Sequence, residues 1–206
     1  MDLILVRHGQ PERVHADTTD GRPADPGLTL QGRMEAKRVA EWLRHEHVDH
    51  IVSSPMLRAL QTSEPLADAR GLEPEILDDL AEYDRHAAHY TPFEQMSAEE
   101  VQRLAEAALG SVDLNELANE TYAGSHVEEI GEFAGRVVAA VEGIIERNED
   151  HRVVAFCHGG VINAYLAHII GLDRQLWFYP EYASLHRVSA AAGLRMITTL
   201  NEIPRV

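Results

Sequence analysis

The stretch LILVRHGQPE, Leu3 to Glu12, decides how this 206-residue chain is read. Leu3–Val6 is short and apolar, bounded by Gly9 and Pro11, and is expected to be a buried strand. Two bulky polar residues, Arg7 and His8, follow it at once. The pattern returns in RVVAFCHGGVINAYL, Arg152 to Leu166, where a second apolar run ends in His158 and Gly159-Gly160. Both runs are expected to be core strands that deliver their terminal side chains to one place.

Working outward, strands and helices alternate. A loop rich in Asp, Pro, Gly and Thr is expected over Asp17–Gly27. LTLQGRMEAKRVAEWLRHE then carries Met34, Ala36, Val39, Ala40 and Leu43 at helical spacing. HIVSS is a second strand; Ser54 is a good N-cap and Pro55 suits a first helical position. The helix that follows should run from about Met56 to Ala69 and stop at Gly71. EPEILDDL holds a short third strand. From Pro92 to Glu120 the chain is charged and Ala-rich, with a Ser97-x-x-Glu100 capping box and a Gly110 stop. A long helix over Val127–Arg147, a helix over Val161–Ile170 stopped by Gly171, and strands near Ser184–Ser189 and Arg195–Leu200 complete the pattern.

This alternation predicts an α/β fold: a three-layer α/β/α sandwich with a mainly parallel central sheet and a helical insertion near residues 92–120. Residues 1–206 are expected to form a single domain, with about 85–125 as the insertion or lid. In this class ligands bind at the carboxyl ends of the strands, where both histidines fall.

Composition narrows the function. The charged fraction of 25% and hydrophobic fraction of 45% are those of a globular protein. No apolar run approaches the ~18 residues of a membrane span, and no basic region precedes an apolar segment as in a signal peptide. The single cysteine, Cys157, excludes an internal disulfide and favours a reducing, cytoplasmic setting. A net charge of −16 argues against nucleic-acid binding and repels anionic substrates, so an anion site must carry its own positive charge.

The strand ends supply that charge. Arg7, His8, His158 and Arg58, the last from SSPMLRALQTSE, would together hold a tetrahedral oxyanion. Gly159-Gly160 opens a helix whose free N–H groups favour an anion, and Gly9 would let backbone approach a ligand.

LILVRHGQ, IVSSPMLRALQTSEPLA and VVAFCHGGVINAYLAHIIG, in that order, resemble the histidine phosphatase superfamily, also called phosphoglycerate-mutase-like. LTLQGRMEAKRVAEWL is similar to that family's Leu-Thr-x-x-Gly helix entry. The resemblance implies that His8 is a nucleophile forming a phosphohistidine, and that Arg7, Arg58 and His158 hold the phosphoryl oxygens. Substrate contacts are expected from Arg7, Arg58, His158, Gly159 and Gln10, with no metal and no cofactor. The family's acid, in a Leu-x-Glu segment, corresponds to Glu82 of Leu80-Ala81-Glu82, with Asp79 and Asp84 as rivals.

After Arg-His-Gly the mutase branch has Ser or Thr, then Trp-Asn; here Gln10-Pro11-Glu12-Arg13-Val14 stands instead. Hydrolysis of a small phosphorylated substrate is therefore favoured over a mutase, with a non-catalytic phospholigand-binding module as the alternative of another class. A homodimer is compatible with the sequence. His45, His47 and His50 are expected at the surface, whereas Arg85, His86, His89 and Tyr90 could line the pocket mouth. Cys157 reads as a packing residue, Trp42 and Trp177 as core or interface aromatics, and LWFYPEY as a pocket edge or subunit contact.

Overall fold

The computed structural model describes residues 1–15 and 22–205. Of the expected loop, residues 17–21 lie outside the described residues, and 22–27 hold neither helix nor strand. The elements in chain order are β1 (Asp2–Arg7), α1 (Leu30–Trp42), β2 (His50–Ser53), α2 (Leu57–Arg70), β3 (Glu75–Ile76), α3 (Ala98–Ala108), α4 (Leu114–Thr121), α5 (Ile130–Arg147), β4 (Arg152–Cys157), α6 (Gly159–Ile170), β5 (Leu185–Ala191) and β6 (Leu194–Glu202). The six strands form one sheet in the order β3-β2-β4-β1-β5-β6. β1 to β4 are mutually parallel, β5 runs antiparallel to β1, and β6 antiparallel to β5.

Strand alternation feeds two cores. Ile4, Val6, Val154 and Phe156 pack against Val39 of α1, its C-cap Leu43, and Leu66 of α2. Leu3, Leu5, Val153, Ala155 and Cys157 pack against Val137, Val141, Ile144, Ile162 and Leu166 of α5 and α6. Helices thus cover both faces, as an α/β sandwich requires. β1 and β4 are hydrogen-bonded neighbours. The helices that follow them, α1 and α6, depart to opposite faces, so their shared carboxyl end is a switch point where the fold opens a crevice. The predicted insertion is two helices, α3 and α4, and Ser97 makes the expected capping box with Glu100.

Several local expectations are corrected. α2 begins at Leu57 with Met56 as a cap lacking a side-chain bond, so Ser54 is not its N-cap. The third strand shrinks to Glu75–Ile76 and α5 starts at Ile130, capped by Glu129. Met34 is 46% exposed and Trp42 38% exposed, its indole N–H donating to Glu202, so neither belongs to the core.

The role of Gly9 also changes. A Cβ at Gly9 would lie 2.6 Å from the Gly32 carbonyl oxygen, so its missing side chain admits α1 rather than a ligand. Thr29 caps α1 by accepting from the Gly32 N–H at 3.0 Å. A Cβ at Gly32 would fall well inside contact distance of the Gln10 carbonyl oxygen. Gly32→Ala is therefore expected to lower the thermal unfolding midpoint. The helix-propensity gain of up to about 1 kcal/mol is outweighed by an overpacking cost of about 1 to 3 kcal/mol, because the obstructing atom is backbone. An unchanged midpoint would contradict this contact.

Candidate active site

Register explains why residues far apart in sequence meet. Arg7 pairs with Cys157 across β1 and β4, and the His8 N–H donates to the Cys157 carbonyl at 3.0 Å. His8 and His158 therefore leave adjacent strands together, with ring centroids 5.2 Å apart. On the other side of β4, Ser53 pairs with Phe156, which sets Ser54 beside His158. Its hydroxyl lies 2.7 Å from His158 Nε2. Ser54 thus orients a histidine instead of capping a helix.

His8 is 2% exposed. Its Nδ1 lies 2.8 Å from the Gly9 carbonyl oxygen. A carbonyl can only accept, so Nδ1 carries the proton and Nε2 the lone pair. Burial, then the charges of Arg58 and Arg7, hold the His8 pKa well below its usual value, so the ring is neutral at pH 7. His158, fully buried, is held low by burial, Arg58, His8 and Arg7.

Positive charge comes from two buried arginines. Arg7 donates through Nη1 to the Pro180 carbonyl, and its guanidinium lies 4.1 Å from the Tyr182 ring centroid and 4.9 Å from that of Tyr179. Arg58, 1% exposed, sits in the first turn of α2 and pairs with Asp84 at 3.2 Å. Its guanidinium lies 4.8 Å from the Tyr90 ring centroid. Burial works against the Arg58 charge and Asp84 works for it, with the balance above the usual value. Among the described residues, Arg7 Nε, Arg58 Nε and Nη1, and His158 Nδ1 are buried without a hydrogen-bond partner. Buried donors are rarely left so, and these suit an anion with several oxygens.

Glu82 faces the same cavity. It accepts from the Gly160 N–H at 2.8 Å and the Tyr83 N–H at 3.2 Å. The α6 N-terminus, expected to receive the anion, thus has its second N–H engaged by a side-chain carboxylate. A Cβ at Gly160 would collide with that carboxylate, which is why glycine stands there. Burial first, and Asp84 second, push the Glu82 pKa up to about 7, against the opposing Gly160 N–H and Arg58. Arg136 anchors this loop by donating to the Asp79 and Ala81 carbonyls while paired with Glu128.

The other sequence candidates separate. Asp79 is exposed and absent from the cavity wall, and Asp84 is engaged by Arg58. Tyr90 lines the cavity, whereas Arg85, His86 and His89 do not. Gly159 lines it; Gln10 does not, its side-chain oxygen accepting from the Thr29 hydroxyl, and neither does His158, which is fully buried beside His8. Cys157 is buried, and burial raises its thiol pKa, which suits packing. Asp84 as the partner of Arg58 and Ser54 as the partner of His158 went unassigned in the sequence; Tyr90, Tyr179 and Tyr182 were placed near the pocket there, but not against the arginines. Their only signal there was proximity to the motifs: Ser54 directly follows β2, and Tyr179 and Tyr182 lie in LWFYPEY. Among the described residues, no group of three His, Cys, Asp or Glu side chains is placed to hold a metal ion, and no helix is long and apolar enough to cross a membrane.

Comparison with known proteins agrees with this architecture. A probable phosphoglycerate mutase of Yersinia enterocolitica is 26% identical over 174 residues, covering 84% of this chain and 76% of that protein. Phosphoserine phosphatase 1 of Hydrogenobacter thermophilus is 41% identical over 71 residues, 34% of this chain and 33% of that protein. Among solved structures, a phosphoserine phosphatase mutant from Entamoeba histolytica with phosphoserine superposes with a TM-score of 0.72 at 19% identity, covering 97% of this chain and 96% of that one. A mycobacterial glucosyl-3-phosphoglycerate phosphatase with VO3 gives 0.73 at 24% identity, covering 98% of each chain. The sequence profile described as Histidine phosphatase superfamily (branch 1) matches residues 3–203, and the chain belongs to that family.

Proposed function

We propose that the protein hydrolyses phosphate monoesters through a phosphohistidine on His8. The observation that carries this reading is the His8 Nδ1 to Gly9 carbonyl bond, which leaves the Nε2 lone pair for attack on phosphorus. Nε2 forms the P–N bond as the ester P–O bond breaks, and protonated Glu82 donates its proton to the departing oxygen. Ionised Glu82 then takes a proton from water, whose oxygen attacks phosphorus. The P–N bond breaks and its electron pair returns to Nε2. Arg7, Arg58 and His158 hold the equatorial oxygens, supplying the positioning and charge that phosphoryl transfer depends on.

The local charge favours hydrolysis over a mutase. With both histidines neutral, positive charge comes from Arg7 and Arg58, and Asp84 offsets part of it. That suits one phosphoryl group, whereas a mutase must hold an acceptor already carrying a second anion. The test is release of inorganic phosphate from a chromogenic phosphate ester in equal amount to the alcohol. Transfer to a phosphorylated acceptor with little free phosphate would reverse the reading.

Glu82→Gln is expected to slow esters of poor leaving groups by about 10²- to 10⁴-fold, and activated aryl esters much less. In the wild type, kcat/KM for an alkyl phosphate should fall as pH rises through about 7, because the raised Glu82 pKa keeps the acid form below that pH. The variant should lose this limb. Equal slowing of both ester types would take the acid role away from Glu82.

A further inference from the structure

The cavity that holds Arg7, His8, Arg58 and Glu82 has a volume of about 720 Å³, far more than a phosphoryl group fills. Beyond the charged end its walls come from the insertion and from the segment before β5. Met96, Leu104, Leu117, Leu176, Trp177 and Phe178 face it, and Phe133 closes it from α5. Most of the surface these walls expose is apolar, and it binds by removing that area from water.

The charges on the wall restrict what can enter. Its arginines are Arg7, Arg58 and Arg103, and Arg103 is ion-paired with Glu120. Glu99, Glu100 and Glu120 also line the cavity, and the Glu100 carboxylate accepts from the Ser97 N–H. Among the described residues, a ligand with a carboxylate besides its phosphate would meet three glutamates and no uncommitted arginine beyond the phosphoryl end. Its second charge would lose hydration without gaining a cationic partner.

We propose that this enzyme takes phosphate monoesters whose leaving group is a bulky, uncharged, apolar alcohol or phenol. The inference rests on the reading of the His8 end as the phosphoryl site. The insertion then selects substrates: α3 and α4 supply an apolar chamber in which the organic group is buried while phosphorus meets His8.

Equilibrium binding to the wild-type protein tests it, using inorganic phosphate, straight-chain alkylphosphonates from methyl to octyl, and the same chains ending in a carboxylate. The dissociation constant for the alkyl series is expected to tighten by about two- to fourfold per methylene until the chamber is filled, and the terminal carboxylate should cancel that gain. Leu104→Gln, and separately Leu176→Gln, should each flatten the slope. Both side chains are only half-buried, and they lie on different segments, so two variants guard against a folding defect in one. Equal affinity at all chain lengths, or tighter binding of the carboxylated series, would overturn the apolar leaving group while phosphate binding kept the phosphoryl site. Failure to bind phosphate or any phosphonate would overturn both.

Discussion

His8→Ala is expected to eliminate the covalent phosphoenzyme and to lower turnover by on the order of 10⁵-fold or more, as loss of the nucleophile does in other covalent enzymes. The size follows from the absence of a substitute. His158 is neutral and adjacent, but its Nε2 is committed to Ser54 at 2.7 Å, and Cys157 is held as a buried thiol with a raised pKa. Neither can replace a lone pair directed into the cavity. The measurement is a rapid quench in alkali after mixing with a labelled phosphomonoester, because phosphohistidine survives alkali and is lost in acid. Label on wild type alone, with matching circular dichroism of the two proteins, supports the nucleophile. Turnover in the variant comparable to wild type would remove His8 from that role. Neither label nor turnover in the wild type across a broad ester panel would favour a phospholigand-binding module.

Arg58→Ala should damage stability and catalysis together. Arg58 is fully enclosed and paired with Asp84, so its removal strands a buried carboxylate, at about 3 to 5 kcal/mol of folding stability. It also removes donors to the phosphoryl group, at about 2 to 4 kcal/mol of transition-state stabilisation by analogy with lost oxyanion donors. The double variant Arg58→Ala, Asp84→Ala separates the two effects. Without an orphaned carboxylate it should recover part of the stability, read by denaturant unfolding, while kcat/KM remains depressed. Recovery of kcat/KM along with stability would make Arg58 a structural residue only. Arg58→Lys is expected to rescue little, since an ammonium cannot reproduce the planar fork between Asp84 and the site.

What the linear chain determined is local. Apolar runs of strand length, helical spacing and glycine stops depend on neighbouring residues, so β1, β4, α2 and α6 and their order were legible, and with them an α/β sheet carrying Arg7, His8 and His158 at strand ends. Arg58 was legible because it opens the helix after a strand. The capping box at Ser97 was legible because both partners lie within one turn.

Tertiary structure alone decided the partnerships. Ser54 bonds to His158 across 104 positions, Glu82 to Gly160 across 78, and Arg58 to Asp84 across 26. The first depends on strand register and the others on how the segment after β3 folds over α2 and α6, which no local pattern encodes. The same holds for Gly9, whose bare backbone turned out to meet Gly32, and for Met34 and Trp42, apolar residues of α1 that stay partly exposed outside the core. The chamber beside His8 belongs here too. Its walls join the insertion to a segment about seventy residues further on, and only packing of the folded chain turns those apolar side chains toward one space instead of a sealed core. A sequence records which residues can bond or bury; the distance between them is settled when the sheet closes its register.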